Sequence, residues 1–309
     1  MISNFLIVVG QVVTLLLMIA VGFTLARQGW LSDETISHAS HLLLYVVTPC
    51  MIIEQLQIEA TAETVHSLLL SAVAMVLYYV VFLALIQLLF RREPDSSRAV
   101  YRFGSVYGNN GFMGIPLLAG VFGEGALIYT IMPMLMFNLF QWTQGVVMMG
   151  GKASVKKAVL NPGILGIIVG LVLFAAGVRL PSMVDNAMGF LADMLTPLAM
   201  IIIGAQIAAA DLLSVFRTPK VYLSCAIKLI FIPAGMCVLL LPLNMEPLAY
   251  CSSVVLSACP AAGITGVFAQ MFRRDTSTAA RVVTLSTLLC VVTLPVFAVL
   301  SEQISGLTL

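Results

Sequence analysis

Apolar runs of membrane-crossing length occupy almost all of this 309-residue chain. A helix needs about 20 apolar residues to cross the hydrocarbon core of a bilayer. The chain is 61% hydrophobic and 9% charged, whereas soluble domains are about 25% charged. We therefore predict an all-α integral membrane protein with ten spans, at roughly residues 5–25, 37–57, 66–90, 99–121, 125–149, 160–178, 187–210, 219–241, 247–271 and 278–301.

The placement of lysine and arginine predicts the orientation, because short cytoplasmic loops carry an excess of these residues. With the N-terminus outside, 13 of the 15 basic residues fall on the cytoplasmic side, Arg179 lies outside and Lys228 lies within a span. The thirteen are Arg27, Arg91, Arg92, Arg98, Arg102, Lys152, Lys156, Lys157, Arg217, Lys220, Arg273, Arg274 and Arg281. We predict that both termini lie outside the plasma membrane, which is the inner membrane in a bacterium. The net charge of +1 does not indicate nucleic-acid binding.

Internal similarity predicts two repeats of five spans. A Thr-Pro pair occurs at 48–49 and again 148 residues later, at 196–197, within similar apolar runs. The first repeat would be residues 1–149 and the second 160–309, joined by a short cytoplasmic linker, 150–159. Because five is an odd number, the second repeat would enter the membrane inverted relative to the first.

Two of the predicted spans contain residues that are unusual within a membrane helix. The fourth contains GNNGFMGIPLL (108–118), and the ninth contains ACPAAGITG (258–266). Proline and glycine disrupt a helix interior, and the freed backbone groups must find partners or line a cavity. Gly/Pro-interrupted spans in both halves of a chain point to a transporter's binding site. Isolated prolines in other spans, such as Pro133 and Pro295, favour simple packing kinks.

The interruptions predict an anion site. Broken helices direct half-helix N-termini, with free N–H groups and positive dipole ends, at the cavity. Asn109 and Asn110 would add amide donors and acceptors, and Gly111 would let a ligand approach the backbone closely. A carboxylate fits this chemistry.

Ionisable residues inside spans are candidates for function because burying them in a membrane is costly. Lys228 lies nine residues beyond Pro219, about 13 Å deep. It is interpreted as a counter-charge for substrate, as a fixed cation supporting the broken helices in place of sodium, or as a lysine reaching back to the surface. Asp193 is a candidate proton carrier, a partner for Lys228 or a structural residue. Asn138 and Gln141 either line the cavity or bond a neighbouring helix.

Several motifs occur in order along the chain, among them NNGFMGIPLL (109–118), FGEGAL (122–127), TPLAMIIIGAQIA (196–208), KLIFIP (228–233) and SACPAAGITGVFAQMF (257–272). They resemble those of the auxin efflux carrier family, which includes bacterial permeases for malonate and similar acids. Their order and spacing cover essentially the whole chain. The long central loop of plant members is reduced here to about GGKASVKKA, and auxin itself is not implied.

The resemblance implies a fold like that of sodium/proton antiporters and bile-acid transporters, with two inverted five-helix repeats and broken crossover helices 4 and 9. Spans 1, 2, 6 and 7 would form a scaffold that dimerises, and spans 3–5 and 8–10 a transport domain that moves like an elevator. The substrate would be a small organic anion. The predicted substrate site comprises Asn109, Asn110, Gly111, Pro116, Asn138, Gln141, Pro260, Ala261, Gly263 and Thr265, with Lys228 and Asp193 for coupling or charge support.

Other function classes are weighed against this interpretation. No HExxH, GxSxG or GxxxxGK[ST] motif is present, so neither an enzyme nor a nucleotide-driven pump is predicted. No cofactor or metal is predicted either. An anion-selective channel, or a sensor that binds an anion without moving it, remains the alternative. The lack of acidic residues at the interruptions favours proton coupling or uniport over a dedicated sodium site.

Overall fold

The computed structural model describes residues 2–59, 61–153, 156, 159–209 and 218–307. Parts of the expected linker, residue 210 at the end of the seventh predicted span, and the basic residues Lys157 and Arg217 lie outside these ranges. The α-helices are α1 (Ile2–Arg27), α2 (Asp33–Leu42), α3 (Thr48–Gln55), α4 (Ala62–Ile86), α5 (Asp95–Val106), α6 (Ile115–Phe122), α7 (Ile128–Phe140), α8 (Val146–Met148), α9 (Pro162–Ala176), α10 (Ser182–Ala192), α11 (Leu195–Ala209), α12 (Pro219–Ala226), α13 (Ile232–Leu239), α14 (Pro247–Ala258), α15 (Ile264–Met271) and α16 (Thr276–Ser305).

The described residues form an all-helical protein, as predicted, with no β-strand among them. Within the described part of the chain, six helices are long and apolar enough to cross a membrane: Glu34–Gln55, Ala62–Ile86, Glu124–Met148, Ser182–Ala209, Pro219–Leu243 and Thr276–Ser305. Shorter apolar helices are Val13–Arg27, Asn110–Phe122, Pro162–Ala176 and Pro247–Ala258. The fourth and ninth predicted spans are divided, the fourth after Val106 and the ninth after Ala258.

Three prolines are accommodated within continuous helix by a preceding π-helical turn. These turns are Leu43–Val47, Asn110–Gly114 and Ile227–Phe231, and Pro49, Pro116 and Pro233 follow them. A proline ring clashes with the carbonyl four residues earlier, which lies inside the turn in each case. The wider turn makes room for the ring. Pro260 has no such turn before it, and helix α14 has already ended there.

Helices α1 and α11 pack very closely. A Cβ atom at Gly22 would collide with the backbone of Ile201, and one at Gly204 with the backbone of Ile19. Helices α9 and α10 pack against α3, whereas α14 and α7 pack around α4, and α16 packs against α14. Helices α3, α9 and α10 thus form one group, and α4, α7, α14 and α16 form another.

Large apolar side chains lie on the outside of the molecule. Leu17 is 64% exposed, Val172 61% and Phe190 75%. Apolar surface of this extent is unfavourable in water and favourable in lipid. With the apolar helices, it identifies an integral membrane protein.

Candidate substrate site

The two interrupted spans meet through their backbones. The N–H of Asn109 donates to the carbonyl oxygen of Pro260 at 2.7 Å, and the N–H of Ala262 donates to that of Tyr107 at 2.9 Å. Gly108 lies opposite Ala261 in this short antiparallel pairing. It satisfies backbone groups that the interruptions would otherwise leave free in an apolar environment. We call segments 107–109 and 260–262 the crossing.

Four helix ends converge on the crossing. Helices α5 and α14 end there, at Val106 and Ala258. The π turn that leads into α6 begins at Asn110, and α15 begins at Ile264. Helix C-termini carry unpaired carbonyl groups and partial negative charge, and N-termini carry unpaired N–H groups and partial positive charge. The crossing therefore presents partial negative charge from two helix C-termini and partial positive charge from two helix N-termini.

Asn109 caps the helix that follows it. Its side-chain oxygen accepts from the backbone N–H of Phe112 at 3.3 Å. This cap fixes the start of the second half of the span. Asn109 therefore has a structural role besides any contact with a ligand.

Lys228 is the buried charge at the crossing. Its side chain is only 1% exposed and reaches neither surface. Its Nζ donates to the carbonyl oxygen of Ser257 at 2.9 Å and to the hydroxyl of Tyr78 at 3.1 Å. The Tyr78 hydroxyl donates in turn to the carbonyl of Val106. The lysine thus stabilises the negative end of α14 directly and that of α5 through Tyr78.

The ammonium of Lys228 has one donor to spare and no carboxylate partner among the described residues. An ammonium has three N–H donors, and the two contacts above use two of them. The ion pairs among the described residues are Arg98–Asp95, Lys220–Glu93 and Arg274–Asp95, so Lys228 and Asp193 do not form the pair that the sequence suggested as one possibility. A membrane-buried cation without an acidic partner is a candidate for binding an anion.

Gly108 gives this lysine its space. A Cβ atom there would lie 2.8 Å from Lys228 Nζ and 2.8 Å from the side-chain oxygen of Asn110. Any larger residue at position 108 must therefore displace both of these groups. The backbone at 108 comes this close because it is held in the crossing.

Three predicted site residues carry a buried polar atom that lacks a hydrogen-bond partner within the described structure. These atoms are Asn110 Oδ1, Gln141 Oε1 and Thr265 Oγ1. Their residues are at most 4% exposed. Buried polar atoms almost always have partners, so these atoms are available to a ligand or to water. Asn138 differs, because its side-chain N–H donates to the carbonyl of Met134 at 2.9 Å.

The remaining predicted residues lie on or beside the crossing. Pro260 and Ala261 belong to it, and the N–H of Ala261 donates to the hydroxyl of Ser286 at 3.0 Å. Pro116 is the second residue of α6. A Cβ atom at Gly111 would have only Met134 nearby, at 3.9 Å, and one at Gly263 would lie 3.8 Å from the Gln206 side chain of α11.

Asp193 lies elsewhere, in a second polar region. It lines a cavity of about 440 Å³ together with Glu54 and Glu124. The same cavity is lined by Ile115 and Ala119 of α6, so it extends to the helix that begins at the crossing. Within the described residues, no three His, Cys, Asp or Glu side chains come together as a metal site.

Sequence reasoning missed three residues of this site. Tyr78 and Ser257 bind Lys228, and Gly108 makes room for it. Tyr78 lies in an ordinary apolar span and Ser257 contributes only its backbone carbonyl, so neither carries a local signal. Gly108 belongs to the motif GNNGFMGIPLL, but its role in making room for Lys228 follows only from the contacts at the crossing.

The apolar helices are long enough to cross a membrane, and two of the predicted spans break where a buried lysine meets polar atoms without partners among the described residues. These features define a membrane transport protein. The family model described as "Membrane transport protein", that of the auxin efflux carrier family, matches residues 7–155 and 151–298. The chain belongs to this family, which is a family of transporters and not of enzymes. An "Uncharacterized transporter" of Methanothermobacter thermautotrophicus is 24% identical over 296 residues, which cover 93% of this chain and 96% of that relative.

Proposed function

We propose that the protein is a secondary transporter for small organic anions, of the mono- or dicarboxylate type, which bind at the crossing. The observation that carries the proposal is Lys228, a buried cation with no carboxylate partner within the described residues, placed where the two interrupted spans meet. A substrate carboxylate would accept from its spare N–H, a charge-assisted bond of the stronger kind.

The neighbouring polar atoms would contribute specificity. Asn110, Gln141 and Thr265 offer unpaired oxygen atoms, which would accept from hydroxyl groups of the substrate or from waters bound with it. The helix starts at Asn110 and Ile264 would contribute positive partial charge. None of these groups carries a fixed negative charge that would repel an anion.

The proposed architecture is ten spans in two inverted repeats, with both termini outside the inner membrane. Two successive matches to one family model support the repeats. The antiparallel pairing of Gly108 with Ala261 is what a two-fold axis in the membrane plane would produce. The transport domain, spans 3–5 and 8–10, would carry the crossing past the scaffold of spans 1, 2, 6 and 7. The close packing of α1 on α11, and of α9 on α3, supports a rigid scaffold, which we expect to dimerise.

The cavity at Asp193 would be the outer approach to the crossing. It lies between α3, α10 and α11 on one side and α6 on the other, so both proposed domains line it. Protonation of Asp193, Glu54 or Glu124 would lower the repulsion that an anion meets there. We therefore propose that transport is coupled to protons rather than to sodium.

Uptake by proteoliposomes tests the function. A panel of labelled mono- and dicarboxylates is offered under separately imposed proton and sodium gradients, with labelled neutral solutes as a negative control. We expect saturable carboxylate uptake that unlabelled carboxylate inside the vesicle accelerates. Lys228→Met should abolish it, while Lys220→Met should retain it, because Lys220 lies at the half-exposed start of the same span and pairs with Glu93.

Counterflow separates this proposal from the alternatives. A channel would give unsaturable flux without acceleration from the opposite side. A sensor would bind carboxylate and move none. Absence of both binding and uptake across the panel would refute the anion proposal.

A further inference from the structure

A polar groove of about 520 Å³ lies away from both the crossing and the Asp193 cavity. It is on the side predicted to be cytoplasmic. It opens between the end of α4, the start of α5 and the short helix α8. Its lining includes the charged residues Asp95, Arg98 and Arg102 and the apolar residues Val147 and Met148. Nothing in the proposed transport mechanism uses it.

The rim of the groove is strongly cationic. Arg102 donates to the carbonyls of Gln87 and Leu89 at 2.7 and 2.9 Å, which caps the end of α4. Arg91 donates to the same Gln87 carbonyl at 3.4 Å, and Arg98 donates to Asp95 at 2.5 Å. Arg91 and Arg102 thus share the Gln87 carbonyl, and Arg98 and Arg102 both line the groove, with Arg91 beside it.

Asp95 is the only carboxylate among the described residues that line the groove. Asp95 bonds Arg98 and is shared with a fourth arginine, Arg274. The nearby Glu93 is engaged by Lys220 at 3.3 Å. The rim therefore keeps a positive charge that the described residues do not neutralise.

The wall beneath this rim is apolar and open to the surroundings. Val147 is 55% exposed, and Leu88, beside the groove on the last turn after α4, is 57% exposed. Met148 completes the wall, whereas Leu83 is largely buried. The rim lies where the apolar helices Ala62–Ile86 and Glu124–Met148 end, which is the depth of the lipid headgroups if these helices cross the membrane. Cationic groups stand above an apolar wall, as in a phospholipid site.

We propose that the groove binds an anionic phospholipid, with its phosphate at Arg98 and the neighbouring Arg91 and one acyl chain along Val147 and Met148. Basic pockets between spans on the cytoplasmic side are suited to anionic headgroups. A soluble phosphate would use the rim alone and gain nothing from the exposed apolar wall. The lipid uses both, which is why we assign it rather than a soluble anion.

Equilibrium binding to the purified, delipidated full-length protein tests this assignment without requiring transport. The probes are labelled phosphatidylglycerol, phosphatidylcholine with the same acyl chains, and glycerol phosphate as a soluble competitor. We expect saturable binding of phosphatidylglycerol, much weaker binding of phosphatidylcholine, and little competition by glycerol phosphate.

The variants Arg91→Gln and Arg98→Gln should each weaken phosphatidylglycerol binding by about fivefold, the usual contribution of one basic residue at an anionic surface. Arg102 is left intact because it caps α4. Arg179→Gln removes an exposed arginine on the predicted outer side and should change nothing. Arg91 is exposed, so its variant should fold even if Arg98→Gln does not.

Three results would overturn the proposal. They are equal affinity for the two lipids, unchanged affinity in both arginine variants, and full competition by glycerol phosphate, which would indicate a soluble-anion site. Failure of carboxylate uptake leaves this binding measurement unaffected, so the two proposals fail independently.

Discussion

Replacing Gly108 with alanine should disrupt the crossing through a single methyl group. The added Cβ would lie 2.8 Å from Lys228 Nζ and 2.8 Å from Asn110 Oδ1, and 3.0 Å from Lys228 Cε. Real Cβ atoms essentially never approach this closely, so the side chains of Lys228 and Asn110 must both move. The Lys228 ammonium would then give up its bond to Ser257 or Tyr78. A hydrogen bond to a charged group contributes about 1.5–3 kcal/mol, so we expect a loss of about 2 kcal/mol in the free energy of unfolding.

The matched control is Gly266→Ala, in the other interrupted span. A Cβ at Gly266 has no neighbour within 4 Å among the described residues, and Gly266 lies within helix α15. Alanine in an unhindered helical position should leave stability unchanged or raise it by about 0.4–1 kcal/mol. Unfolding is measured in the same detergent, at the same pH, for both variants. If Gly108→Ala proves as stable as Gly266→Ala, our account of the space around Lys228 is wrong.

The other predictions concern Tyr78, Asn110, Asp193 and Asp95. Tyr78→Phe removes the hydroxyl between Lys228 and the Val106 carbonyl, and should cost about 1–3 kcal/mol of unfolding free energy; an unchanged value would mean that water replaces the hydroxyl. Asn110→Ala should weaken carboxylate binding in equilibrium dialysis while far-ultraviolet circular dichroism stays constant, and unaltered affinity would remove Asn110 from the site. Asp193→Asn should reduce the dependence of uptake on an imposed proton gradient, and full dependence would exclude Asp193 as the proton carrier. The Arg274 guanidinium beside Asp95, helped by Arg98, holds the pKa of that carboxyl below its ordinary value. A lowered folded-state pKa adds stability that is complete above the unfolded value of about 3.9 and is lost as the pH falls through the folded value. The melting temperature of the wild type should therefore fall more steeply than that of Asp95→Asn below about pH 4, and parallel curves would contradict this.

The two interruptions are the part of the site that the sequence reveals best. Pro260, and the glycines and asparagines around 108–111, act locally, because they alter the helix in which they occur. Lys228 is also evident from the sequence, because burying a lysine in the middle of an apolar span is costly. The all-helical fold is predicted from the apolar runs, because each run is long enough to cross a membrane as a helix.

The partners of Lys228 could not be predicted in the same way. Tyr78 is 150 residues away in sequence, and its role depends on how α4 packs beside the crossing. The shared cavity of Asp193 and Glu54 likewise forms where separate segments meet. The Asp193–Lys228 pair was one of three possibilities that sequence alone left open, and the structure separates the two residues because they belong to different regions.

The π turns show why a proline in a span is ambiguous from sequence. Pro233 and Pro260 have similar apolar neighbours, yet only Pro233 follows a π turn that lets its helix continue. The two prolines therefore differ in whether the turn before them is widened. Sequence periodicity over a single span does not contain that information.

Carboxylate binding to the purified protein tests the central claim most directly. Titration of labelled mono- and dicarboxylates into wild type, Lys228→Met and Lys220→Met compares a buried lysine at the crossing with a half-exposed lysine of the same span. The account predicts saturable binding to wild type, about tenfold or greater loss in Lys228→Met, as expected when a charge-assisted bond is removed, and no change in Lys220→Met. Equal affinity in all three proteins would contradict a carboxylate site at the crossing.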